Sequence, residues 1–221
     1  MTALAGGHVF LSASFPSGDR GREVEPYDAD AIADAVTAVV RAVLLSDGKV
    51  LFGGHPTITP LVLLIATELR VQHAVDIFQS RWFEGEVTSE TLRLEKSGAG
   101  DIHWTPKRDT RDASLEVMRG AMLAFVRPLA ALFVGGMSGI ADEYTIFGRA
   151  HPGVLRLPLG GPGGAAARLL PSEAELPTRL QGQLGSRHYP FLASLIAEVL
   201  TAAQEGPPET KATRSRLEDQ G

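Results

Sequence analysis

The stretch Phe133-Val134-Gly135-Gly136-Met137-Ser138-Gly139-Ile140-Ala141-Asp142-Glu143-Tyr144 runs from an apolar strand through a glycine turn into the start of a helix. Few local patterns restrict a fold so strongly. A near-continuous apolar strand must be covered on both faces, the glycines let backbone approach closely, and the helix start leaves N–H groups unpaired. Such a turn at the carboxyl end of a parallel strand is a ready-made anion site.

The same order recurs upstream. Val50-Leu51-Phe52 runs into Gly53-Gly54-His55-Pro56-Thr57-Ile58-Thr59 and then a helix through Pro60–Leu69. His8–Pro16 reads as a short buried strand followed by a small-residue turn, Ser12-Ala13-Ser14, and is ended by Pro16 and Gly18. It is followed by a helix from Asp28 to Leu45 with Ile32, Val36, Val39, Val40 and Val43 at helical spacing, Asp28 as cap and Asp47-Gly48 as stop. Ala74–Phe78, Ala131–Val134 and Val154–Pro158 read as further strands, with Gln79, Ser80, Arg81 and Trp82 leaving the sheet. Asp112 or Ser114 caps a helix carrying Met118, Arg119, Met122 and Phe125, which closes before Pro128. Helices are expected at Ile140–Phe147 and at Pro190–Ala203, with Gly160–Gly164 a flexible loop before Ala165–Leu170. Residues 83–108 give no clear pattern beyond a short strand at Ile102-His103-Trp104. Strand–helix alternation of this kind predicts an α/β fold, a Rossmann-like parallel sheet with helices on both faces.

The chain has 221 residues, 44% of them apolar, and a formal charge of −5. Residues 1–204 are expected to form one domain, and the polar, proline-containing tail 205–221 to be disordered. The acidic balance argues against nucleic acid as a partner. The absence of cysteine excludes disulfides, thiolate chemistry and cysteine-held metal. His8, His73, His103, His151 and His188 lack metal-ligand spacing, so no metal is expected. Leu61–Ile65 is too short to span a bilayer and residues 1–7 lack a secretory pattern, which points away from membranes and to a cytoplasmic location. No Gly-Lys-Ser/Thr follows any glycine turn, no GxGxxG fingerprint follows a strand, and no Gly-x-Ser-x-Gly elbow appears.

In a parallel sheet the three turns fall on one edge. Ser12, Ala13 and Ser14, Gly53, Gly54, His55, Pro56 and Thr57, and Gly135, Gly136, Met137, Ser138, Gly139 and Ile140 therefore form the expected walls of a nucleotide pocket. Gln79, Ser80 and Trp82, just past the third strand, are candidate base or ribose contacts, and Tyr27 and Tyr189 are candidate stacking partners. His55 either contacts the ligand or only shapes its turn. Arg119 suits a phosphate through its planar fork, or else serves as a surface helix residue. Glu143, in the first turns of its helix, either complements the helix dipole or accepts from ribose hydroxyls.

Phe10-Leu-Ser-Ala-Ser-Phe-Pro16, Phe52-Gly-Gly-His-Pro-Thr-Ile58 and Phe133-Val-Gly-Gly-Met-Ser-Gly-Ile140 with Glu143 together resemble the SLOG superfamily. That group contains the LOG phosphoribohydrolases and Smf-type DNA-processing proteins, and the likeness is strongest to its defence-associated branch linked with Sir2 and TIR proteins. LOG enzymes carry a helical Arg and a Pro-Gly-Gly-x-Gly-Thr-x-x-Glu turn that cleave the N-glycosidic bond of a nucleoside monophosphate. Arg119 and Glu143 match the Arg and the acid, and would be the catalytic pair in a hydrolase. The turn departs from the enzyme pattern: Val134 replaces the Pro, one residue more separates Gly136 from Gly139, and Ile140 replaces the Thr. The resemblance therefore implies a sensor or sequestering protein for AMP, ADP-ribose or an NAD-like signal such as cyclic ADP-ribose, with base-releasing hydrolysis as the alternative. It implies no cofactor, a homo-oligomer built on the apolar stretches Leu123–Val134 and Leu192–Leu200, and a TIR or Sir2 effector as partner.

Overall fold

The computed structural model describes residues 4–171 and 173–205. Among them, β1 (His8–Ser14), β2 (Lys49–Gly53), β3 (Val75–Ser80), β4 (Gly100–Thr105), β5 (Ala130–Gly135) and β6 (Leu155–Leu159) form one sheet in the order β4-β3-β2-β1-β5-β6. Every pairing is parallel. The helices are α1 (Gly18–Arg22), α2 (Ala29–Leu45), α3 (Thr59–Leu69), α4 (Ser89–Lys96), α5 (Arg111–Phe125), α6 (Ser138–Ala150), α7 (Gly164–Ala167) and α8 (Tyr189–Glu205). This is the Rossmann-like α/β arrangement that the strand–helix alternation requires.

Two cores lie on opposite faces of the sheet, and the period-2 geometry of a strand explains how one strand feeds both. Val9 and Leu11 point to the side covered by α2, α3, α4 and α8, whereas Phe10 between them packs with Leu51, Phe133 and Phe147 on the side of α5 and α6. In α2, Ala31, Ile32, Ala35, Val36, Val39, Val40, Val43 and Leu44 are buried at the i, i+3, i+4 spacing of an apolar face. Asp28 caps this helix by accepting the Ala31 N–H at 3.0 Å.

The chain lays β1 to β4 outward in one direction, then returns to place β5 on the other side of β1. Beyond the carboxyl ends of β1 and β5 the connections diverge, which opens the crevice where ligands of doubly wound sheets bind. The loop 160–165 clasps this region by main-chain bonds, and Arg187 Nε donates to Gly161 O at 3.0 Å. Asp28 N–H donates to Pro162 O, Gly164 N–H to Pro26 O and Ala165 N–H to Gly136 O. A Cβ on Gly164 would press on the backbone of Gly135.

Several elements depart from the sequence reading. Gln79 and Ser80 do not leave the sheet: β3 continues through them because β4 pairs Gln79 with Trp104 and Ser80 with Thr105. Residues 81–105, mostly unassigned by pattern, form a 3-10 helix at Arg81–Glu86, α4 and the full edge strand β4. The cap of α5 is Thr110, which accepts from Ala113 N–H, while Ser114 Oγ donates back to Thr110 O. α1 was hidden by the turn residues around it, and the stretch after the Gly160–Gly164 loop holds the single turn α7. α8 runs to Glu205, and the rest of the tail, 206–221, lies outside the described residues.

The α5 face also buries a polar cluster. Asp76 is only 6% exposed and accepts from His8 Nε2 at 2.9 Å and His103 Nε2 at 2.6 Å. Phe78 stacks on His103 and Phe125 meets His8 edge-on. No helix among the described residues is long and apolar enough to cross a membrane.

Candidate functional site

A cleft of about 660 Å³ lies beyond the carboxyl edge of the sheet. The ends of β1, β2 and β3 supply its floor through Ser12–Ser14, Gly53–Pro56 and Gln79, and the first turns of α6 supply one wall. α6 begins at Met137 without any side-chain cap, so the unpaired N–H groups of its first turn are left for another acceptor. Met137, Ser138, Gly139 and Ile140 all line the cleft.

Three elements meet at one carboxylate. Glu143 of α6 accepts from Ser12 Oγ of β1 at 2.6 Å through one oxygen, and from Arg119 Nε of α5 at 3.1 Å through the other. Both side chains of the Arg119–Glu143 pair are about one-fifth exposed, so they are accessible from the cleft without being bathed in water. Arg119 also lies against the α6 start: a Cβ on Gly139 would sit 3.5 Å from its Nη2. A guanidinium and a helix N-terminus thus share one corner, where both favour an anion.

His55 sits at the β2 turn, and its Nδ1 accepts from Thr57 N–H at 3.3 Å and from the Thr57 hydroxyl at 2.9 Å. The neutral ring therefore carries its proton on Nε2, which has no hydrogen-bond partner among the described residues. Burial pushes the imidazole pKa below its ordinary value. Gln79, with its amide turned to match its surroundings, donates to the carbonyls of Gly54 at 3.2 Å and Phe78 at 3.3 Å. Gly54 is glycine because a Cβ there would meet this same side chain at 2.6 Å.

Of the residues expected from sequence, Ser12, Ala13, Ser14, Gly53, Gly54, His55, Pro56, Gln79, Arg119, Met137, Ser138, Gly139, Ile140 and Glu143 come together around the cleft. Seven others do not line it. Thr57 orients His55, and the fully buried Ser80 caps the 3-10 helix by accepting Trp82 N–H at 3.2 Å. Gly135 and Gly136 lie beneath the wall with φ of +62° and +69°. A Cβ on Gly135 would meet Ile32 at 2.6 Å, and one on Gly136 would overlap the Ile140 side chain. These two glycines build the turn, and the residues after them face the cleft. Tyr27 bridges to Gly163, and Tyr189 is buried against the α2 side of the sheet, so neither is placed to stack on a ligand in the cleft. Trp82 is outside the lining as well, with Lys107 held over its ring.

The structure adds residues that the sequence reading did not single out as site residues. Arg20 of α1 lines the cleft and forms no ion pair with the described residues; Phe83, Glu86, Thr88 and Thr91 come from the unassigned segment, and Arg111, Asp112, Leu115 and Met118 from α5. One sequence signal for part of this was present: Thr88 followed by Ser89-Glu90 is a helix start, and Thr88 Oγ1 does accept from Thr91 N–H at 3.3 Å.

The profile of the SLOG cluster3 family matches residues 24–189, well over half of the chain. The chain belongs to this SLOG family. No curated protein matches it by sequence. The SLOG match contains the β2 turn, Arg119 and the α6 wall with Glu143, and it begins after β1, so Ser12 and Arg20 are contributed from outside the matched segment. Membership suggests a nucleotide-related function for the chain.

Proposed function

We propose that this SLOG protein binds an adenine nucleotide or an NAD-derived signal, such as AMP, ADP-ribose or a cyclic ADP-ribose, and acts as its sensor or reservoir. The observation that carries the reading is the anion corner, where the uncapped start of α6 and the Arg119 guanidinium adjoin Ser12 and Glu143. A phosphate there would take N–H groups of α6 and the free edge of Arg119, while Glu143 would hold Arg119 in place or accept from a ribose hydroxyl. Within the same proposal, the protein works as a homo-oligomer that passes the signal to a TIR or Sir2 effector in antiphage defence, since the chain's turn sequence resembles that branch.

The alternative is a LOG-like hydrolase in which Glu143 stabilises the positive charge developing on the sugar carbon as the base departs. The Arg119–Glu143 pairing supports it. Ile140 weighs against it: where the enzyme pattern has a hydroxyl, this side chain is 4% exposed and packs over Gly136.

Incubation with AMP, ADP-ribose, NAD and cyclic ADP-ribose, followed by thermal shift and by chromatography for released base, separates the readings. A ligand at about 100 times its Kd adds about 2.7 kcal/mol, or roughly 5–10 °C for a chain of this size. A shift without turnover supports the sensor. Free base that disappears in Glu143→Ala supports the hydrolase, and no shift with any nucleotide removes both.

A further inference from the structure

The two ends of the cleft differ in chemistry. At the β1/β5 end stand Arg20, Arg119 and the start of α6, a corner that attracts an anion. The opposite end, beyond β3, is built by the 3-10 helix, α4 and the start of α5, and presents Phe83, Glu86 and Asp112. The cation there is Arg111, whose guanidinium lies over the Phe83 ring at 5.9 Å and stands 3.8 Å from the Asp112 carboxylate, a side chain that is 94% exposed. Glu86 forms no ion pair with the described residues. Thr88 is not free to help, since its hydroxyl caps α4 and meets Thr91 Oγ1 at 3.1 Å.

A phosphate would be repelled by this second end. A flat, neutral ring bearing N–H donors would suit it, because Phe83 and the loosely held Arg111 offer stacking surfaces and the carboxylates only accept hydrogen bonds. From β5 to β3 the sheet edge covers three interstrand spacings, about 14 Å in all. That length separates a phosphate at one end from a base at the other.

We propose that the segment Arg81–Thr91 with the start of α5 is the base-recognition end of the cleft. Phe83 stacks the base, and Glu86 selects one that carries an exocyclic amine at the position where hypoxanthine has a carbonyl oxygen, which a carboxylate repels. The assignment rests on the nucleotide reading above and fixes the direction in which the ligand lies. It makes the ligand class an amino-bearing base, adenine over hypoxanthine.

Calorimetric titration with AMP, IMP and ribose 5-phosphate tests it. The wild type is expected to bind AMP at least about tenfold tighter than IMP, a difference of about 1.4 kcal/mol. Phe83→Ala should weaken AMP at least about fivefold, the low end of what a stacked base contributes, and leave ribose 5-phosphate unchanged. Glu86→Gln, which preserves shape, should erase the preference for AMP over IMP and serves if Phe83→Ala does not fold. Equal binding of AMP and IMP by the wild type, or unaltered AMP binding in Phe83→Ala, would overturn the base assignment and leave the nucleotide reading standing. If none of the three compounds binds, both fall together.

Discussion

Two carboxylates in this molecule do the same thing in opposite surroundings. Asp76 and Glu143 each accept from two side chains on different elements. Asp76 is sealed beneath α5 by Phe78 and Phe125, with its partners already neutral or cationic imidazoles. Glu143 opens onto a cleft, and one of its partners is a guanidinium at the start of a helix. Enclosure turns the first cluster into a brace for β1, β3 and β4. Access leaves the second able to exchange partners with an arriving ligand.

The sharpest break of this contrast is Asp76→Ala. It strands two half-buried imidazoles without their acceptor, and should cost about 2–4 kcal/mol, a fall in melting temperature of roughly 5–15 °C. Glu143→Ala should not approach that value; equal losses in a urea titration would mean that both clusters are braces.

Acid should separate the clusters further. Burial alone would raise the Asp76 carboxyl, but the hydrogen bonds and charges of His8 and His103 outweigh it and hold the pKa below 3.8. A carboxyl depressed in the folded state gives stability that is full above its unfolded pKa and lost as pH falls through the folded one. Urea midpoints measured from pH 5 down to pH 2 should therefore decline more steeply in the wild type than in Asp76→Ala.

Around Glu143 the stiffness is expected to reside in the backbone instead. Gly136→Ala places a Cβ at φ +69° into Ile140 and should cost about 2 kcal/mol or more. Gly139→Ala, whose Cβ meets only Arg119 at an ordinary 3.5 Å, should stay within about 0.5 kcal/mol of the wild type by calorimetry. Glu143→Gln should lower stability by no more than about 1 kcal/mol. The binding reading expects this same variant to lose most of its thermal shift with AMP.

The smallest effect is that of His55. Its ring should titrate below 6.5 by NMR, because burial disfavours the charged form. A midpoint at or above that value would mean the ring is solvated.

The two regions were not equally legible in sequence. Glycine turns after apolar runs announce themselves through residue type, and the sheet brings such turns to one edge, so most of the cleft floor could be named from residues alone. The Asp76 cluster could not, because His8, Asp76 and His103 are far apart in the chain and meet only through the register of four strands. The second end of the cleft escaped for another reason. In α4 only Thr91 and Leu94 are buried, too few positions to set a period, and β4 is an edge strand without an apolar run. Gln79 and Ser80 misled in a third way: polar residues inside a strand look like its end unless the next strand is known to pair with them.

The loop 160–165 has a consequence for how the protein can change. Its bonds to Pro26, Asp28 and Gly136 use main-chain atoms on both sides, and a Cβ on Gly161, Gly163 or Gly164 would come within 3 Å of neighbouring backbone, so these bonds depend on bare glycine at those places. A single inserted or deleted residue would break them together and shift the turn on which the wall of the cleft rests. For this part of the molecule chain length and the bareness of its glycines are inherited together.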